Sequence, residues 1–96
     1  MELKIAKILS AQQVEKSQKL LKLIVDIGTE QRQIVAGIGL AYSPESLVGK
    51  EIVIVANLEP RTLMGIESNG MLLAAGDREP VLLFPEKEVT PGSTIH

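Results

Sequence analysis

Residues 21–36 read LKLIVDIGTEQRQIVA and carry the clearest structural pattern in the chain. Apolar residues occupy every second position from 21 to 27, which is the period of a β-strand with one buried face. Gly28 begins a tight turn over residues 28–30, and the next strand is predicted at 32–36. Two strands joined by a short turn that contains glycine indicate a β-hairpin.

Segments on both sides of this hairpin also predict strands. Ile, Leu and Val are concentrated in residues 3–11, 51–56, 70–75 and 81–84, and β-branched residues favour strands. In 3–11 the apolar positions change parity, so we expect a long strand with a bend or bulge. In 51–56 they fall on both parities, so we expect both faces of that strand to be covered.

The connections between these strands differ in character. Ser43 followed by Pro44 predicts one helical turn over residues 43–47, with Ser43 as the N-cap and Gly49 ending the turn,. Residues 57–69 hold Pro60 and several polar residues, and they predict a long loop of the kind that is usually functional,.

The order of these elements predicts an all-β fold. Three strands, a helical turn and two further strands are the elements of an OB-fold in their usual order. That fold is a five-stranded Greek-key barrel with a short helical turn between strands 3 and 4. The segment 81–84 would add a C-terminal extension strand. With 96 residues, the chain is expected to be one domain over 1–96,.

Missing residue types exclude several chemistries. The chain has no cysteine, and its single histidine is the final residue, His96. A thiolate metal site, a cysteine nucleophile or a Ser–His–Asp triad is therefore not expected, and we predict no catalytic residue, metal or cofactor. Residues 1–4 do not resemble a secretory signal and no apolar run is long enough to span a membrane, so the prediction is a cytoplasmic protein without a membrane partner.

Charge is distributed unevenly along the chain. The formal net charge is −2, from ten basic and twelve acidic residues, and taken alone it argues against nucleic-acid binding,. Residues 1–32 nevertheless carry six basic and four acidic groups. An OB-fold binds ligand over strands 2 and 3, beside the loops between strands 1 and 2 and between strands 4 and 5. The basic residues at or near that face are Lys16, Lys19, Lys22, Arg32 and Arg61.

Most of the chain resembles one known family. The resemblance is carried by residues 10–23, 32–38, 42–50, 55–61, 65–75 and 91–93. These segments are similar to the tRNA-binding domain at the C-terminus of methionyl-tRNA synthetases. The same domain occurs as a free-standing structure-specific tRNA-binding protein and in relatives of endothelial monocyte-activating polypeptide. The resemblance is strongest at Val55-Ala56-Asn57-Leu58-Glu59-Pro60-Arg61.

The resemblance implies an OB-fold that binds the outside of tRNA by shape, as a homodimer, either alone or attached to methionyl-tRNA synthetase. It places the tRNA-binding surface on Arg32, Asn57, Arg61, Ser68, Met71 and Lys50, to which the charge pattern adds Lys19. Arginine can bind phosphate with two N–H groups or stack on a base. Amide and hydroxyl groups can bond to bases, 2′-hydroxyls or phosphates, and methionine can lie against an unstacked base.

Five of these residues also have a local interpretation. Asn57 and Ser68 could satisfy nearby backbone groups, and Met71 could belong to the core. Arg61 could be solvated or paired with Glu59 or Glu67. Arg32 could pair across the hairpin with Asp26.

The chain departs from the family pattern in the long loop. Glu59, Thr62 and Met64 stand where relatives often carry basic residues. Fewer phosphate contacts predict weaker, salt-sensitive binding. An alternative function is binding of unfolded polypeptide, as in a bacterial secretion chaperone that shares the family pattern.

Dimerisation is also predicted from the apolar residues. Val53, Val55 and the segment 81–84 exceed what a monomer of this size readily buries,. A symmetric pair is the commonest way to cover such a surface.

Overall fold

A computed structural model describes all 96 residues, Met1 to His96. It contains nine short strands and one helical turn. In chain order these are β1 (Leu3–Gln13), β2 (Leu21–Asp26), β3 (Gln31–Ala36), α1 (Pro44–Leu47), β4 (Glu51–Val55), β5 (Arg61–Leu63), β6 (Ile66–Ser68), β7 (Met71–Leu72), β8 (Ala74–Ala75) and β9 (Val81–Leu82).

Five of the strands form an antiparallel sheet in the order β3-β2-β1-β4-β7. This sheet curls until β3 lies beside β6 and β7. The backbone N–H of Asn69 donates to the carbonyl of Gln33 at 2.7 Å, and the Gln33 amide donates to the carbonyl of Glu67 at 2.7 Å. The barrel is therefore almost closed, and the prediction of an OB-type fold is confirmed.

β1 contains the predicted bulge. Its register against β2 shifts between Ile8 and Ser10. Ala6 and Ile8 point into the core before the shift, and Ala11 packs against the core after it. An extra residue at this point moves the apolar side chains from one parity to the other. The strand runs two residues further than the predicted 3–11 and pairs first with β4 and then with β2.

The β2–β3 hairpin forms as predicted, with Leu23 opposite Ile34. Leu21, Leu23, Val25, Ile34 and Ala36 belong to one buried cluster. Gly28 has a φ of +92° in the turn, and its N–H donates to the Asp26 carboxylate at 2.7 Å. β4 has Ile52 and Ile54 fully buried and Val55 at 4% exposed, with only Val53 half-buried, so its two faces are largely covered as expected.

The helical turn differs from expectation in its cap. Ser43 holds the N-cap position with an extended backbone, but its side chain makes no capping hydrogen bond. The Ser46 hydroxyl instead donates to the Ser43 carbonyl at 2.8 Å. Leu47 anchors the turn in the core, and Gly49, at φ +89°, directs the chain back toward β1 and β4. No helix in the structure is long and apolar enough to cross a bilayer.

The prediction that residues 57–69 form one long loop is wrong. β5 and β6 form a hairpin there, with Met64 and Gly65 as its two turn residues at φ +53° and +79°. Positive φ at both central residues is typical of a type I′ turn. Strands of three residues are too short to give a period-2 pattern in the sequence.

The last strands are shorter than predicted. The segment 70–75 divides into β7 and β8, and the segment 81–84 contributes β9 as the C-terminal extension strand, paired with β8. Residues 92–95 then return to β1. The N–H of Gly92 donates to the carbonyl of Ile5 at 2.7 Å, and the N–H of Ile95 donates to the carbonyl of Leu3 at 3.0 Å.

Candidate nucleic-acid interface

One groove lies where the barrel closes, between the end of β3, the β5–β6 hairpin and the start of β7. We call it the closure groove; its lining residues are Val35, Ala36, Gly37, Leu58, Arg61, Leu63, Ser68, Gly70, Met71 and Leu72. Its volume of about 220 Å³ is below the roughly 300–1,000 Å³ of pockets that enclose drug-sized molecules,. The groove therefore suits a single group that protrudes from a larger ligand.

Ser68 helps to build this groove. The side chain is 4% exposed. Its hydroxyl accepts a hydrogen bond from the Val35 N–H at 2.9 Å and donates to the Gly70 carbonyl at 3.1 Å. The local interpretation of Ser68 is therefore the one the geometry supports, and the bond from Val35 also joins β6 to β3.

Arg61 lies opposite Ser68 in the β5–β6 register, which places both side chains on the groove side of the hairpin,. It is exposed and forms no ion pair, either with Glu59 or with Glu67. An arginine without a partner keeps all its N–H donors available to an anionic ligand.

Met71 forms the opposite wall of the closure groove. It pairs with Val55 at the start of β7 and is 42% exposed, so it does not belong to the core. Leu58 and Leu63 extend the apolar wall, and neither is among the tRNA-binding residues predicted from the sequence. Their only sequence signal is that they are the nearest Leu residues on either side of Arg61.

Arg32 lies away from the closure groove. It shares the inward parity of Ile34 and Ala36 on β3. Its Nε donates to the Glu30 carboxylate at 2.8 Å, and a terminal nitrogen donates to the Ala56 carbonyl. The cross-hairpin pair with Asp26 does not form. The guanidinium instead connects the start of β3 to the end of β4.

Asn57 follows directly after Ala56 and is exposed. Its side-chain oxygen accepts a hydrogen bond from the Glu2 N–H at 2.7 Å, in agreement with the local interpretation. The amide nitrogen makes no bond within the chain, so it can still donate to a ligand.

The two predicted lysines lie in different places. Lys50 is exposed beside Phe84, with its ammonium 5.3 Å from the ring centroid, in a shallow depression that also contains Glu51 and Glu88. It is not brought to the closure groove. The aliphatic part of Lys19 lies against Gly37, one of the groove residues, so Lys19 borders the groove.

The outer face of the β2–β3 hairpin contributes one further basic residue. Lys22 lies directly opposite Val35 in the hairpin register, so it points to the same outer face,. Within the structure no group of three or more His, Asp and Glu side chains is placed to hold a metal ion.

A nearly closed β-barrel whose hairpin and strand ends shape one open groove is the architecture of an OB-type binding domain. Residues 3–94 match the family described as a putative tRNA binding domain. The chain belongs to this family, which confirms the resemblance seen in the sequence.

Individual relatives agree with this assignment. A methionine–tRNA ligase from Methanococcus aeolicus is 64% identical over 94 residues, which make up 98% of this chain and 14% of that protein. The solved structure of a MetRS related protein from Pyrococcus horikoshii has a TM-score of 0.90 at 36% identity, over 99% of this chain and 89% of that one. The chaperone CsaA from Bacillus anthracis has a TM-score of 0.92 at 30% identity, over 99% and 90%. The chain thus spans about one seventh of the ligase that it matches.

Proposed function

We propose that this chain binds tRNA by shape and backbone contacts, as an appended domain or a separate subunit of methionyl-tRNA synthetase. The family match and the 64% identity to part of a methionine–tRNA ligase support this proposal. The role is non-catalytic: the domain adds affinity for tRNA and leaves aminoacylation to the rest of the synthetase. A cytoplasmic location and a homodimeric state belong to the same proposal.

The observation that carries the proposal is the unpaired Arg61 facing the exposed Met71 across the closure groove. Arg61 would bind a phosphate with two N–H groups or stack on a base. Met71 would pack against an unstacked base, since a flexible thioether adapts to any base face.

The other candidate residues take supporting parts in this proposal. Asn57 donates its unbonded amide to a ribose or phosphate oxygen. Lys19 attracts the backbone at the border of the closure groove, and Lys50 attracts it from the separate depression beside Phe84,. Ser68 and Arg32 hold the backbone around the site in place and do not contact tRNA themselves, because their polar groups already bind Val35 and Ala56 within the chain.

Gel-shift titration with unfractionated tRNA tests the function. The protein should bind at low salt and weaken steeply as salt rises, because phosphate contacts release counterions. Arg61→Ala should weaken binding about tenfold, the loss of one charge-assisted contact. Arg32 is left unchanged, since its bond to Ala56 makes its substitution a test of folding as well.

Arg61→Lys is the matched control for that titration. Lysine keeps the positive charge but cannot form a bidentate contact with phosphate. The affinity of this variant for tRNA should therefore lie between those of the unchanged protein and Arg61→Ala. Circular dichroism would verify that all three are folded. If Arg61→Ala binds as tightly as the unchanged protein, the closure groove is not the tRNA surface.

A second candidate function is the binding of unfolded polypeptide. The TM-score of 0.92 to a chaperone supports it, as does the groove itself, since six of its ten lining residues are hydrophobic. Capture of a reduced, unfolded model polypeptide, together with no tRNA shift at high protein concentration, would favour this function over tRNA binding.

A further inference from the structure

A second cleft adjoins the closure groove on the side of the β2–β3 hairpin. We call it the Lys19–Arg78 cleft; it is lined by Lys19, Gly37, Leu40, Ala41, Arg78, Glu79 and Pro80. It lies between the connection that follows β3 and the turn that joins β8 to β9. Arg78 lies outside the segments that carry the family resemblance.

The two basic side chains of this cleft are available to a ligand. Lys19 and Arg78 are both exposed, and neither takes part in the ion pairs of the structure, which are Lys4–Glu2 and Arg32–Glu30. Glu79 contributes one carboxylate to the cleft, so its lining carries a net charge of +1. An anionic ligand is therefore favoured.

Leu40 gives the cleft an apolar wall. Its side chain is 75% exposed, although it stands between two connections that pack closely, where the N–H of Gly39 donates to the Lys19 carbonyl at 2.7 Å. A large exposed apolar side chain beside two cations matches a ligand that alternates charged and apolar groups. A nucleic-acid strand, with its phosphates and base faces, is such a ligand.

Gly37 connects the two sites, since it lines both the closure groove and the Lys19–Arg78 cleft. A Cβ at this position would lie 3.0 Å from Cε and 3.6 Å from Cγ of Lys19. The absence of a side chain at Gly37 therefore lets the aliphatic part of Lys19 lie along the stretch of backbone that the two sites share.

We propose that one RNA strand occupies both sites in succession, crossing Gly37, and that Lys19 and Arg78 bind a phosphodiester of that strand while Leu40 contacts a neighbouring base or ribose. This inference rests on the proposed tRNA-binding function and extends it to a second contact region. It assigns Arg78 as a phosphate-binding residue.

The principal test measures tRNA affinity of Arg78→Ala as a function of salt. Affinity should fall several-fold at low salt, and the slope of log K against log salt should become shallower by about 0.7–0.9, the value for one phosphate contact. The matched control is Lys87→Ala, which removes an exposed cation that lies in neither site. Its affinity should remain close to that of the unchanged protein.

Two further substitutions, one of them with its own control, test whether RNA occupies both sites. Glu79→Gln removes the carboxylate of the cleft and should strengthen binding, whereas Glu86→Gln, at an exposed position outside both sites, should not. Gly37→Ala meets only the flexible end of Lys19, so it should leave the fold intact and weaken binding by displacing the ammonium.

The outcomes separate this inference from the proposed function. If Arg61→Ala weakens binding while Arg78→Ala and Lys87→Ala behave alike, RNA occupies the closure groove and the second contact region is refuted. If the unchanged protein binds no tRNA at low salt, the inference and the proposed function both fail. Weakening by Arg78→Ala with a shallower salt slope, together with a gain for Glu79→Gln, establishes the path.

Discussion

The hydroxyl of Ser68 is a small group with a large structural role. It satisfies the Val35 N–H on one side and the Gly70 carbonyl on the other, at the line where the barrel closes. Without it, a buried backbone donor on β3 would have no partner. A buried donor without a partner lowers the free energy of unfolding by about 1–3 kcal/mol.

Ser68→Ala should therefore lower the free energy of unfolding by about 1–3 kcal/mol, as measured by urea denaturation. Ser46→Ala is the matched control, because its hydroxyl is exposed and makes only a local bond to the Ser43 carbonyl. The control should change stability by less than about 0.5 kcal/mol. Equal stabilities of the two variants would show that Ser68 does not hold the barrel closed.

At the level of single residues, the sequence predicts the position of some side chains and not of others. Arg61 and Met71 were predicted on the binding surface, and both line the closure groove. Arg32 shares its parity with Ile34 and Ala36, so its inward direction was visible in the pattern of β3. The bond from Val35 to Ser68 joins residues 33 positions apart, and no local pattern records a contact of that kind.

The β5–β6 hairpin carries an unusual turn for its residue types. Met64 has a φ of +53°, a conformation that costs an L-residue roughly 1–2 kcal/mol, and Gly65 follows at +79°,. Nothing lies within 4 Å of the position that a Cβ on Gly65 would occupy, so a substitution there acts through the backbone alone.

Met64→Asn should stabilise the protein by about 0.5–1 kcal/mol, because asparagine tolerates positive φ and is common in type I′ turns. Gly65→Ala should destabilise it by a similar amount. Thermal unfolding of both variants checks the pair, and opposite shifts in Tm are expected. Shifts of the same sign would mean that the turn does not have the geometry described.

Among the elements, those with a long or regular pattern were predictable. The β2–β3 hairpin has a clean alternation, and the bulge in β1 appeared as a change of parity. The β5–β6 hairpin was not found because each strand has three residues and the turn pair Met64-Gly65 lacks the usual asparagine or aspartate. β7 has only two residues, which is also too short to give a period-2 pattern in the sequence,.

The whole molecule leaves an apolar surface near its C-terminal strands. Val81, Leu83, Phe84 and Val89 are between 38% and 49% exposed. These residues partly overlap the set predicted to form a dimer interface. Val55 and Leu82, from the same predicted set, are instead buried within the chain.

We expect a mass near twice the 10.4 kDa of one chain in analytical ultracentrifugation at about 50 µM, well above a micromolar dissociation constant,. Phe84→Glu should shift the mass toward the monomer, because a carboxylate would be desolvated in the interface. Leu40→Glu, at an apolar residue elsewhere that is even more exposed than Phe84, should not. A monomeric mass for the unchanged protein would refute the dimer.

The return of residues 92–95 to β1 has a consequence for how the domain is joined to other parts of a protein. The N–H of Ile95 donates to the carbonyl of Leu3, and the N–H of Glu2 donates to Asn57. The first and last residues of the chain therefore lie side by side on the barrel, close to Asn57. A linker attached at either end would start from nearly the same position relative to the closure groove and the Lys19–Arg78 cleft. Gene fusions in either order, and circular permutants with a short bridge between the ends, are therefore geometrically equivalent arrangements of this barrel.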